Sequence, residues 1–204
     1  MDEHYASFLN DFSPTIDRQE VPQLSIDRYD KKLPAQLLEY WKEYGWCGYA
    51  DGIFWTVNPQ EYEDLLKSWL TTVDMPQENY YVIARSAFGK LYVWGENSGW
   101  CLTISSYSAR YFRRASKFTG EKLDFGVKAF FSFIDPEHND LEGLFQPALD
   151  HLGPLKSDEM YGFVPALALG GPMDLKNLQK VKTIEHLEFL SQLSPLQDWG
   201  FPAA

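Results

Sequence analysis

The chain has 204 residues, of which 45% are hydrophobic and 16% aromatic; 29 Asp+Glu against 18 Lys+Arg leave a formal net charge of −11. This aromatic content excludes a disordered acidic tail, and the length suffices for one large domain or two small ones. The acid excess argues against a generic binder of nucleic acid or anionic membrane, which neutralises phosphate with Lys and Arg, and favours approach to a basic partner. No apolar run approaches the roughly 18 residues of a membrane span. The start, Met1-Asp2-Glu3-His4-Tyr5, lacks the basic residues and apolar core of a secretion signal, so a cytoplasmic protein is expected.

In chain order, residues 2–12 place Tyr5, Phe8, Leu9 and Phe12 on one helical stripe. A weakly patterned, Pro-containing connection then runs to Leu33. Pro34 opens the next helix, whose face is Leu37, Leu38, Trp41 and Tyr44, and Gly45 stops it. Residues 46–57 are rich in aromatics and Gly and end in a strand over 53–57. Asn58-Pro59-Gln60-Glu61 has the form of a capping box, followed by Tyr62, Leu65, Leu66, Trp69 and Leu70 at helical spacing. Three β-type runs, 80–85, 91–94 and 100–104, are separated by Phe88-Gly89-Lys90 and Glu96-Asn97-Ser98-Gly99 and read as an antiparallel meander. Strict alternation puts Trp100, Leu102 and Ile104 on one face, with Cys101 and Thr103 on the other.

Residues 107–118 read as irregular and carry Arg110, Arg113, Arg114 and Lys117. They divide the chain into a first unit over 1–110, a connecting segment over 111–119 and a second unit over 120–197. The second unit opens with a helical stripe of Leu123, Val127, Phe130, Phe131 and Ile134. A further stripe over 141–152 contains Pro147, so its helix begins or kinks near that residue, and Gly153-Pro154 ends it. A buried strand and turn follow over 161–169. Thr183 caps a last helix carrying Ile184, Leu187, Leu190 and Leu193, closed by Ser194-Pro195. The pattern is α+β: a mainly antiparallel sheet flanked by helices, its two halves either separate or sharing one continuous sheet.

The standard catalytic constellations are missing. There is no Gly-x-Ser-x-Gly elbow, no phosphate-binding lysine after Gly170-Gly171, and no His-Glu-x-x-His around Glu185-His186. Asp135-x-Glu137-x-Asn139 begins like a calcium loop but has Asp140 at the sixth position and Gln146 at the twelfth; a solvated acidic loop is the better account. His4, His138, His151 and His186 are scattered, and His151 suits the negative end of a helix. Cys47 and Cys101 are too few for a zinc site or a disulfide framework; one bridge between them is the alternative, and two reduced, partly buried thiols are the expectation. The sequence therefore calls for no catalytic residue, metal or cofactor. The segment 110–117, with Tyr111 and Phe112 among its cations, is the one patch able to stack bases and bind phosphate. In so acidic a chain an interdomain salt-bridge segment is the preferred reading, and direct nucleic-acid binding is not expected.

Several motifs together resemble the GAD-like domain family. They are Leu33-Pro34-Ala35-Gln36-Leu37-Leu38-Glu39-Tyr40-Trp41, Gly48-Tyr49-Ala50-Asp51-Gly52-Ile53-Phe54-Trp55 with Asn58-Pro59, Ala84-Arg85-Ser86-Ala87-Phe88-Gly89, and Leu91-Tyr92-Val93-Trp94-Gly95. Leu144-Phe145, Leu152-Gly153, the run from Asp158-Glu159-Met160-Tyr161 to Gly170-Gly171, Glu185-His186-Leu187 and Leu193-Ser194-Pro195-Leu196 resemble the C-terminal domain usually joined to it. The resemblance, over about residues 20–197, implies an immunity protein that neutralises a cognate DNase toxin of type VI secretion. It implies no catalytic residues and locates no contacts. The acid balance fits such a task, because carboxylates compete for a nuclease's phosphate-binding surface, across an interface of roughly 1,600 Å² or more. Tyr49, Asp51, Glu61, Glu63 and Asp64 are one expected contact region for the toxin, and Asp135, Glu137, Asp140 and Glu142 a second. The alternatives are a regulatory nucleic-acid module built on 110–117 and an enzyme with an unusual carboxylate site; no membrane or small-molecule partner is expected.

Overall fold

The computed structural model describes residues 2–200. Among them, eight strands form one sheet, in the order β1 (Thr15–Gln19), β2 (Trp46–Tyr49), β3 (Phe54–Thr56), β4 (Tyr80–Ser86), β5 (Lys90–Gly95), β6 (Gly99–Ser105), β7 (Arg110–Arg113) and β10 (Gln197–Asp198). All neighbours in it are antiparallel except β10, which runs parallel to β7. Since β10 comes from the far half of the chain, both halves contribute strands to one continuous sheet. A separate two-stranded ribbon joins β8 (Glu159–Phe163) to β9 (Leu178–Lys182). Helices α1 (Glu3–Asp11), α2 (Gln23–Tyr29), α3 (Ala35–Tyr44), α4 (Glu63–Leu70), α5 (Leu123–Phe133), α6 (Phe145–Leu152) and α7 (Thr183–Leu193) complete an α+β fold.

Aromatic side chains fasten α1 and α5 to one face of the sheet. Asp2 caps α1 by accepting the His4 and Tyr5 amides at 3.1 and 3.2 Å, which satisfies donors that the first turn leaves orphaned. Phe8 then meets Phe54 of β3 at 5.8 Å and Phe131 of α5 at 5.0 Å, while Phe130 meets Tyr92 of β5 at 5.7 Å. Most of these contacts are edge-to-face, the geometry that ring quadrupoles favour. On the opposite face Trp55 and Arg85 are cross-strand partners. Behind them lies the entry to β8 from the second half: Arg85 donates to the Ser157 and Glu159 carbonyls at 2.9 and 2.8 Å. Asp17 and Gln19 of β1 hold the same Ser157 through its amide and hydroxyl, each at 2.6 Å.

Five local expectations are corrected. The connection before Leu33 contains β1 and α2; β1 is an edge strand with almost every residue exposed, so it lacks an apolar alternation to betray it. Asn58 does accept the Gln60 amide at 3.2 Å, but residues 59–62 form a 3-10 turn and α4 begins only at Glu63. A bulge in β6 pairs Val93 with Leu102 and Trp94 with Trp100, so Cys101 is the extra residue and Trp100 changes face. Its indole donates to Thr103 Oγ1 at 3.3 Å and its ring meets Phe130 at 5.0 Å. The stretch expected to be irregular includes β7. Thr183 is the first residue of α7 rather than its cap, and its buried Oγ1 has no partner among the described residues. Elsewhere the expected elements appear: α6 starts at Phe145, placing Pro147 in its first turn, where a missing N–H costs nothing.

Candidate partner-binding surface

The first expected contact set does not form one face. Tyr49 lies wholly in the core, 0% exposed, its hydroxyl 2.8 Å from that of Tyr5; it has no surface to offer a partner. Asp51 is exposed, in a 3-10 turn at φ +56°. Glu61 stands at a cavity of about 130 Å³ that Trp55, Tyr62 and Asp158 also line. Burial, with the Asp158 carboxylate adding to it, holds the Glu61 carboxyl above its ordinary range, against the Asn58 amide and the Arg85 cation. Glu63 instead receives Arg28, whose Nη2 reaches both carboxylate oxygens at 2.8 and 3.0 Å. This pair borders a different, larger cavity of about 580 Å³ between α2, α4 and β4. Asp64 is exposed and pairs with Lys67 at 3.3 Å, one turn along α4.

The second set does occupy one loop, held from beneath by β5. Asp135 caps the turn by accepting the Glu137 amide at 2.7 Å, and Asn139 donates to the Asp135 carbonyl at 2.9 Å. Tyr92 donates to Asn139 Oδ1 at 2.8 Å, and the Lys90 ammonium donates to the His138 carbonyl. Asp140 accepts the Phe145 amide at 3.0 Å, ahead of α6. So Asp135 and Asp140 shape the loop, whereas the exposed Glu137 and Glu142 carboxylates make no ion pair among the described residues. The resemblance to a calcium loop is thus explained by turn capping. Such bonds fix a loop in advance and lower the ordering cost of binding.

Beside this loop lies a feature that the sequence reading missed. Phe133, the last residue of α5, is 69% exposed and borders two concavities. One, of about 640 Å³, is acidic, with Asp11, Asp135 and Glu137. The other, of about 270 Å³, is a groove between α5 and residues 114–118, floored by Trp100, Phe118, Ala129 and Phe130. Phe125, half exposed, leans edge-on against Phe118 at 5.1 Å. A signal was present in the letters: Phe125 and Phe133 fall off the stripe that packs α5 against the sheet, and a large aromatic off the core stripe is a candidate surface anchor.

The basic segment is divided rather than gathered. Arg110 donates to the Asp198 carbonyl at 3.2 Å and lies over Trp199. Arg113 donates to the Asp74 carbonyl at 2.9 Å and approaches Asp198 at 3.9 Å. Both stitch the edge of the sheet to β10 and to the loop before β4. Arg114 stacks on Trp100, its Cζ 3.9 Å from the ring centre.

Residues 3–108 match the GAD-like domain family. The chain belongs to that family. Residues 124–194 match a second family, the C-terminal domain of the T6SS immunity protein Tdi1. This GAD-like protein is also similar in fold to Atu4351 from Agrobacterium tumefaciens, whose crystal structure superposes with a TM-score of 0.86 at 23% identity, over 99% of this chain and 94% of that one. Among curated proteins no match was found. The Tdi1-type domain supports a role in immunity to a type VI secretion toxin, and such a role implies a cognate toxin as partner. No helix among the described residues is long and apolar enough to cross a membrane.

Proposed function

We propose that this protein binds and neutralises, in a fixed stoichiometric complex, a DNA-cutting nuclease effector of type VI secretion in the cytoplasm of the cell that makes it. The observation that carries this reading is the Tdi1-type domain over 124–194; a nuclease target is supported by the charge distribution. A nuclease presents positive surface to phosphate. Here the carboxylates of Asp51, Glu137 and Glu142 are exposed and make no ion pair among the described residues, while Arg28, Arg110 and Arg113 are bound to the protein's own acceptors. Outward carboxylates steer such a partner and speed capture. Slow release needs a buried anchor, and Phe133 stands beside the preformed acidic loop in the position of one. No catalytic role is assigned to any residue.

The test is titration of a DNase effector that is lethal when expressed alone and harmless when co-expressed with this protein. Its DNase activity falls linearly with added protein and vanishes at a fixed ratio, and a complex elutes as one peak on size exclusion. The double change Glu137→Lys with Glu142→Lys slows association about tenfold at low salt and flattens its salt dependence, with dissociation little altered. Undiminished cutting in the presence of excess protein, or neutralisation by far less than an equivalent, refutes stoichiometric inhibition.

A further inference from the structure

We infer that the groove between α5 and residues 114–118 seats a short apolar segment of the toxin carrying one carboxylate, which the Arg114 guanidinium grips. The inference rests on the inhibitor reading above and specifies what one part of that interface accepts. Three observations support it. Arg114 is partly buried against Trp100, and its guanidinium makes no hydrogen bond and no ion pair among the described residues. Burial lowers its pKa against the opposing influence of Tyr92, and no carboxylate faces it among the described residues. Arg28, Arg110 and Arg113, by contrast, each have an acceptor. A planar guanidinium with free N–H donors is matched to a carboxylate fork.

The groove's size and setting narrow the occupant. At about 270 Å³ it is smaller than the usual small-molecule site and has room for one or two side chains. Its Trp100, Phe118, Phe130 and Phe133 walls call for an apolar residue next to the carboxylate. A free anion finds Arg114 and Lys117 in the lining but must approach a chain of net charge −11; a carboxylate delivered by a docked protein is held there by that protein's other contacts. Phe133 borders both this groove and the acidic concavity, so one partner can set basic residues against Glu137 and its carboxylate against Arg114. A nucleic-acid strand fits less well, because Asp11, Asp135 and Glu137 would face its phosphates.

The experiment measures dissociation of the same toxin, inactivated at its catalytic residue, from immobilised protein. Arg114→Gln raises the dissociation rate about 30-fold, Arg114→Lys restores part of that loss, and Ala129→Phe, which fills the groove, weakens binding without touching the charge. Thermal melts confirm that each variant folds. Rates within twofold of the parent for both Arg114→Gln and Ala129→Phe refute the groove while leaving the inhibitor reading intact, since the parent still binds tightly. A parent that fails to bind the toxin refutes both. Binding of a fluorescent single-stranded oligonucleotide that Arg114→Gln abolishes would assign the groove to nucleic acid and overturn the proposal.

Discussion

Arg85 offers the most direct test of how the two halves are held together. Its side chain is 0% exposed and has no carboxylate partner among the described residues. Instead it donates to the carbonyls of Ser157 and Glu159 at 2.9 and 2.8 Å and of Ser86 at 3.2 Å, with Trp55 beneath its Cζ at 4.9 Å. Replacing it with Met keeps the volume and removes the donors. Hydrogen bonds from a charged donor contribute about 1.5–3 kcal/mol each, and a desolvated cation–π contact about 2 kcal/mol. Part of this is offset because the variant no longer desolvates a cation, a cost visible in the downward shift of the Arg85 pKa by burial. We take the net loss as about 3 kcal/mol.

With a urea m-value of about 2 kcal/mol/M, that loss lowers the unfolding midpoint by about 1.5 M. Circular dichroism and tryptophan fluorescence report the transition, the latter through Trp55 among seven tryptophans. Arg85→Lys is expected to be nearly as damaging, since an ammonium keeps the charge but cannot span the Ser157 and Glu159 carbonyls with one planar fork. A midpoint within about 0.3 M of the parent for Arg85→Met would show that the buried cation merely offsets its own desolvation. Full restoration by Lys would show that charge alone, rather than fork geometry, holds the seam.

Two further outcomes follow from buried groups. Tyr49→Phe leaves the Tyr5 hydroxyl without its partner at 2.8 Å, so it destabilises the fold by about 1–2 kcal/mol while toxin dissociation stays at the parent rate; a binding defect without a stability defect would return Tyr49 to the interface. His186 packs so closely on β8 that a Cβ at Gly162 would sit 2.7 Å from its Nε2, and burial lowers its pKa from the ordinary 6.5. The unfolded chain therefore binds the proton more readily, and stability drains away as pH falls below about 6.5. His186→Gln should flatten the fall in melting temperature between pH 7.5 and 5.5; a parent-like slope in that variant would exclude His186 as the titrating group.

Legibility in the sequence followed burial. The stripe Leu123, Val127, Phe130, Phe131 and Ile134 was readable because each residue faces the sheet or packs against it, and α5 spans Leu123–Phe133 as its period requires. The meander β4–β5–β6 was readable from turn residues, including Gly89 at φ +77°, where a Cβ would also strike Ser106 Oγ and Met160 Cε at 2.6 and 2.7 Å. What escaped was decided by partners far along the chain. β1 is a strand because β2 pairs with it; apart from Ile16 its own residues are polar and exposed. Trp100 faces α5 because Cys101 bulges, and alternation alone has no term for one extra residue.

The candidate contact surface was the least legible part for the same reason, and the three arginines of 110–114 make the case. In the sequence they are equivalent cations. In the fold, two of them are used up by carbonyls from residues 74 and 198, which arrive from opposite directions along the chain. Of the three, Arg114, one step beyond the end of β7, turns onto Trp100 and keeps its side-chain donors unspent among the described residues. The acidic residues divide likewise: Asp135 and Asp140 cap turns, while Glu137 and Glu142, in the same loop, do not. A binding surface consists of the groups that the protein's own interior has left unsatisfied. Composition counts every charge alike, so the acid excess pointed to a basic partner without saying which carboxylates would meet it; that distinction exists only once the internal bonds have been made.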